Sequence, residues 1–395
     1  MRAAVVIPVY KPFRADLEWY ERISLERCVE VLGHYPIIFV APEGREFDYL
    51  PSGSTVETFD PIYFSNIHGY NALMLRPQFY ERFLDYDYVL LYQLDAFVFS
   101  DRLEEFCRLG YDYIGAPWPL GLSKEGKRCL CVGNGGFSLR RPRSCLEALN
   151  NNNELIKSMR PAEDFIFAYI GKLFPQQFKV APIGTASRFS VEYLPERYCR
   201  KNKNVLPFGC HGWQNLSRDF YIRVFEECGC DLKPYAHLMG NDDLNAQSRT
   251  LNSLLQWRLF DRFHRGYSMI KYLPTKEPFY VFALDEQEGE LVQRLYDEGL
   301  KIINTDNIPF LDSDDQIKAV AEVLNLIEPR GLLIGMKDDS TAVTKLIELG
   351  GLRYGKNFIS YWKESMRWSS ALLRRISRPT VKRLTNLGLC KGDSL

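Results

Sequence analysis

The chain has 395 residues, 46% hydrophobic and 25% charged, and its 50 basic residues balance its 50 acidic ones. That length calls for two domains and that composition for a soluble globular protein. The even charge excludes a net field that would draw nucleic acid, so neither RNA nor DNA is implied.

The first apolar run, Ala3 to Ile7, is stopped by Pro8. It is too short for a signal sequence or a membrane span and reads as a first buried strand. Ten cysteines at irregular spacing, with no export signal, fit thiols kept reduced in a cytoplasm. Cys129-x-Cys131 and Cys228-x-Cys230 each fall one residue short of the usual zinc spacer, so they read as buried or half-buried thiols.

Helical spacing over 15–33, through Leu17, Tyr20, Ile23, Leu25 and Val29, is followed by a strand at 36–40. Strand, helix, strand opens a parallel sheet. A further helical pattern over 70–84 feeds the apolar stretch Tyr88 to Phe99, which presents one carboxylate, Asp95, among bulky residues. An unpaired charge there is costly to bury, and the carboxyl end of a strand is where open α/β sheets bind ligands. Asp95 therefore points to a metal or a polar substrate, with a simple turn cap as the plainer alternative.

A helix over 101–109 starts at Asp101 and stops at Gly110; a short strand over 111–115 then runs into Trp118, and a polar loop follows at 121–128. In Val132 to Arg140, the consecutive Gly135 and Gly136 allow backbone to approach a ligand, or form a glycine turn before a strand. Glu163 and Asp164 open a helix, where two acids either serve chemistry or only complement the helix dipole. The stretches Arg188 to Glu192 and Leu206 to Trp213 follow, the second setting His211 near glycines and beside an indole. A neutral imidazole there is a candidate metal ligand, although a loop histidine can equally do nothing special.

These patterns divide the chain into a catalytic-type domain at 1–240, a helical linker at 241–275, a smaller domain at 276–360 and a basic amphipathic tail at 361–395. Strands at 278–283, 301–305 and 331–336 alternate with helices at 286–298, 315–327 and 341–350, which makes a small parallel sheet. The tail interleaves Arg374, Arg375, Arg378, Lys382 and Arg383 with Trp368, Leu372, Leu373 and Ile376. Such a segment either lies on an anionic membrane surface or packs as a solvated terminal helix.

Taken together, Gln93-Leu-Asp95, Asn134-Gly-Gly-Phe137, Glu163-Asp164 and Phe208-Gly-Cys-His211-Gly-Trp213 resemble the nucleotide-sugar transferases of the glycosyltransferase A fold. The likeness is nearest to a bacterial glycosyltransferase-like family known mainly from sequence, and covers about residues 1 to 215. It implies an α/β fold with a mostly parallel sheet flanked by helices, and a metal-dependent transfer of sugar from a nucleotide-sugar donor to a glycan or lipid-linked glycan acceptor. In bacterial surface polysaccharide synthesis that work lies in the cytoplasm, at the inner face of the membrane.

The resemblance implies that Asp95 and His211 hold Mn²⁺ or Mg²⁺, with Gln93 where the family pattern has a second acid. Ile7, Pro8, Val9 and Tyr10 would hold base and ribose, and Gly135 and Gly136 would border the sugar. Asp164 would be the catalytic base, with Glu163 as second choice; a base there gives single displacement with inversion. Trp118 and Trp213 either face the sugar or belong to the core. The missing acid at Gln93 also suits a catalytically silent relative that binds glycan or protein.

The smaller domain resembles a degenerate Rossmann unit, with Ala283, Asp285 and Glu288 where fingerprint glycines belong and Asp306 near the place of the ribose-binding acid. Acids beside a pyrophosphate repel it, which argues against a nicotinamide-dependent oxidoreductase and for docking or homo- or hetero-oligomer assembly.

Overall fold

The computed structural model describes residues 1–118, 132–153, 156, 162–240, 270, 273, 277–284, 288–305, 307–335, 339–362 and 364. The loop at 121–128, Cys129, Cys131, all but the last residue of the linker helix at 250–270, Asp285, Asp306 and nearly all of the basic tail lie outside the described residues. The chain forms two units, Met1–Leu251 and Asn252–Leu395. Both are α/β, and among the described residues no helix is long and apolar enough to cross a membrane.

In the first unit β1 (Ala3–Pro8), β2 (Ile37–Pro42), β3 (Thr55–Phe59) and β4 (Tyr88–Tyr92) are parallel and stand in the order β3-β2-β1-β4. The inner strands are continuous apolar runs because helices and the second sheet cover both faces. Their side chains, Val5, Ile7, Phe39, Leu90 and Tyr92 among them, form one buried core. Ile7 and Val9, expected at base and ribose, are 0% and 1% exposed members of that core. Their side chains are therefore withdrawn from any ligand, and of that run only half-buried Pro8 and exposed Tyr10 are accessible.

The expected helix at 70–84 is two, Ile67–Met74 and Pro77–Glu81. Pro77 cannot continue a helix but fits its first turn, and Asn66 caps the earlier one through the amides of His68 and Gly69. The apolar stretch from Tyr88 to Phe99 also divides. β4 ends at Tyr92, the chain turns through Gln93 to Asp95, and β5 (Ala96–Val98) joins another sheet.

Two antiparallel strands complete the main sheet: β7 (Val132–Arg140) beside β4, then β6 (Tyr113–Pro117). The Asn-Gly-Gly-Phe segment is thus strand and not turn. Ile114 faces Leu139 but Ala116 faces Asn134, so β7 uses five residues where β6 uses two, the mark of a bulge. The smaller sheet orders β5 beside β9 (Gly209–His211) and then β8 (Ser190–Val191).

The second unit pairs β10 (Tyr280–Ala283), β11 (Gly331–Ile334) and β12 (Phe358–Ser360) in parallel. The expected strand at 301–305 is irregular chain, joined by one bridge from Ile302 to Phe279, just before β10, and by the Asn304 side chain to Val281 within it. Tyr361 and Trp362, read as the start of the tail, are buried in this unit's core.

Candidate active site

The chain passes from β1 to β2 and β3 on one side, then crosses to β4 on the other side of β1. The carboxyl ends of β1 and β4 therefore flank a switch in strand order, where a crevice opens in sheets of this kind. Gln93 and Asp95 follow β4 directly. Leu94 between them enters the core, while Gln93 and Asp95 both reach the His211 ring.

His211 sits opposite Ala96 in the smaller sheet, and the Gly212 amide donates to the Asp95 carbonyl at 2.9 Å. These two links fix imidazole beside carboxylate. His211 Nε2 lies 3.1 Å from Asp95 Oδ1 and 3.1 Å from Gln93 Oε1. Gly136 makes room for the ring: a Cβ there would overlap Nε2 and its neighbouring ring carbons. Gly135 does the same for the Glu163 carboxylate, so the space left by both glycines is filled by protein side chains, and both are buried.

Burial alone would lower the His211 pKa, but Asp95 and Glu192 more than reverse this and raise it well above the usual imidazole range. The same pairing outweighs burial at Asp95, whose pKa is lowered. On the far side of the ring, Nδ1 stands 3.4 Å from Glu192 Oε2, which also accepts from Asn134 Nδ2. Gln214 reaches Asp95, while its Oε1 and Asn134 Oδ1 are buried without a hydrogen-bond partner.

Among the described residues no three His, Cys, Asp or Glu side chains gather as a metal cluster. The donor set does suit one cation. Two ligands at right angles on a hard divalent ion, with bonds of about 2.1 Å, stand about 3.0 Å apart, close to the 3.1 Å found for Asp95 with His211 and for His211 with Gln93. Gln214, which reaches Asp95, carries an unpartnered amide oxygen of the type such ions accept.

Glu163 and Asp164 begin the helix Glu163–Leu173, yet their environments differ. Glu163 is 4% exposed and its Oε1 meets the fully buried Arg140 at 2.7 Å, with Tyr80 and Ser138 holding the same guanidinium. As that ion's partner it is withdrawn from base chemistry, which corrects its place as second choice. Asp164 is half-buried and accepts from the Phe165 amide at 2.7 Å. Burial, with Glu163 and Glu192 nearby, raises its pKa well above the aspartate range.

Trp118 stacks on Phe165 at 4.5 Å, and Trp213 donates to the Ala96 carbonyl; both are buried, so they are core and not sugar platforms. Cys228 and Cys230 are half-buried free thiols. Sequence reasoning did not place Glu192, Asn134 or Gln214 in the site. Asn134 lay inside the glycine motif and Glu192 at the end of the stretch from Arg188, but neither was given a role.

A family model described as a protein of unknown function, DUF5672, matches residues 53–211, which include Gln93, Asp95, Asn134, Asp164, Glu192 and His211. No curated protein matches the sequence. Solved structures similar to the chain include mouse xyloside xylosyltransferase 1 in its apo form, at 11% identity and TM-score 0.36, over 54% of this chain and 98% of that one. Another is the apo glycosyltransferase GlyE of Streptococcus pneumoniae TIGR4, at 10% identity and TM-score 0.35, over 95% and 100%. A third is the galactosyltransferase LgtC in complex with donor and acceptor sugar analogs, at 16% identity and TM-score 0.36, over 57% and 95%. Scores this low leave the assignment to the residues themselves.

Proposed function

We propose that the first unit is a metal-dependent glycosyltransferase that moves a sugar from a nucleotide-sugar donor to a glycan acceptor, in surface polysaccharide synthesis at the cytoplasmic face of a bacterial membrane. The observation that carries the reading is the convergence of Asp95, Gln93 and His211 at the carboxyl end of β4, with spacings that fit one divalent cation. Asp95 and His211 would hold Mn²⁺ or Mg²⁺, with the Gln93 amide oxygen completing that face. A cation there supplies positive charge to a departing nucleoside diphosphate.

Before His211 can ligate through Nε2, that atom must give up its proton. Burial favours the loss and Asp95 opposes it. Asp164, whose raised pKa makes it a stronger base than an ordinary aspartate, takes the proton of the acceptor hydroxyl. A single displacement with inversion follows. Pro8 and Tyr10, at the end of β1, are the accessible residues for base and ribose.

Isothermal titration of a nucleoside diphosphate panel with Mn²⁺ tests this. Binding that needs Mn²⁺ and is lost in Asp95→Ala is expected; no binding, or binding indifferent to both, overturns the reading. Gln93 in place of a second acid favours one other reading, a catalytically silent glycan- or protein-binding relative. Donor turnover abolished by Asp164→Asn, with nucleotide binding kept, decides against it.

A further inference from the structure

We infer that Glu192 is a positioning residue: it holds the His211 ring by Nδ1 so that Nε2 faces Asp95 and Gln93. This rests on the functional reading above and adds the group that sets the ring.

The smaller sheet places the three side chains in a row. Ala96 of β5 pairs with His211 of β9, and Cys210 of β9 pairs with Val191 of β8. Asp95 immediately precedes β5 and Glu192 immediately follows β8, so a carboxylate stands on each side of the imidazole. The distances agree: 3.1 Å from Nε2 to Asp95 and 3.4 Å from Nδ1 to Glu192.

Nδ1 is buried, and the Glu192 carboxylate, an ion-pair partner at 3.4 Å, stands beside it. Glu192 is itself 8% exposed. A carboxylate so withdrawn from water needs charged or donor partners, and His211 Nδ1 and the Asn134 amide both stand at its Oε2. Gly212, at φ +64°, lets the chain turn directly after His211, and a Cβ there would stand 3.4 Å from Glu192 Oε1. A proton held on one ring nitrogen leaves the other to serve as ligand, and an outer carboxylate of this kind both orients the ring and raises its basicity.

The test uses the full chain with Mn²⁺ alone as probe, read by electron paramagnetic resonance of the free ion. In the metal-free protein it also follows the exchange-protected Nδ1–H resonance of His211 by NMR. In Glu192→Ala, Mn²⁺ affinity falls by about 10- to 100-fold and the protected proton disappears. In Glu192→Gln, whose amide oxygen still accepts, affinity stays within about threefold of the parent and the proton remains. Unchanged affinity and an unchanged proton in Glu192→Ala overturn the inference. So does a wild-type His211 with no proton on Nδ1, which needs no variant to fold. Should wild type bind no Mn²⁺, the cation reading falls, and the ring proton alone decides whether Glu192 positions His211.

Discussion

Each unit brings acids to the carboxyl ends of parallel strands, and each neutralises them differently. In the second unit Asp339 takes the Ser360 hydroxyl and Asp314 takes Lys345 at 2.6 Å, a pair whose side chains are 55% and 43% exposed. The cavity there, about 240 Å³ and lined by Leu284, Leu311, Asp312, Ser313, Asp339 and Lys345, is below the usual size of a ligand pocket and carries two acids to one lysine. The first unit instead meets Asp95 with an imidazole and amides, and leaves buried amide oxygens without partners. An acid paired with a charged lysine faces a group that has no lone pair for a metal. One answered by groups that also ligate metals is equipped to take a further partner.

The two ion pairs of nearly equal length sharpen this contrast, because Arg140 with Glu163 is buried where Lys345 with Asp314 is wet. Arg140→Met leaves the Glu163 carboxylate buried and unpaired, and its cost is about 3–5 kcal/mol in urea unfolding. A loss below about 1 kcal/mol, the level of exposed pairs, erases the distinction. Next in size is Gly136→Ala. Its Cβ overlaps the His211 ring in a packed site, so about 1–3 kcal/mol of stability is lost by the same assay, and Mn²⁺ affinity falls with it. A variant as stable as its parent, with the same affinity, means that the ring needs no fixed seat.

The strands at 3–7 and 36–40, and the start though not the end of the one from Tyr88, were legible because strands covered on both faces must be apolar throughout. β3 was not: it is an edge strand whose Thr55, Val56 and Thr58 are exposed, so no apolar run marks it. Asp95 and His211 could be named from their chemistry. The partner that orders His211 could not, since Glu192 reaches it only through the pairing of β8 with β9, a contact across 19 residues that no local pattern encodes. Ile7 and Val9 erred in the opposite direction: they adjoin the crevice in sequence, but strand alternation turns them inward. Glu163 and Asp164 were inseparable as neighbours. A buried arginine, distant in sequence, tells them apart.

The smallest expected effect concerns that second acid and depends on pH. The fold raises the Asp164 pKa, chiefly by burial and then by Glu163, so the folded state favours the protonated form. For a group shifted in that direction, the stabilisation is complete below the unfolded pKa, ordinarily about 3.9 for aspartate, and is lost as pH rises through the folded value. At neutral pH the unfolded chain ionises Asp164 freely while the fold resists that charge, so the group weighs against folding. Asp164→Asn removes the charge and keeps an oxygen for the Phe165 amide, so its melting temperature should exceed that of the parent by a few degrees near pH 7. The gap should close as pH falls toward 4, where the parent regains its proton. Scanning calorimetry across that range measures both ends. A variant less stable than its parent at pH 7 means that the Asp164 charge has a favourable partner, and an acid so satisfied has little tendency to take a proton from an acceptor hydroxyl.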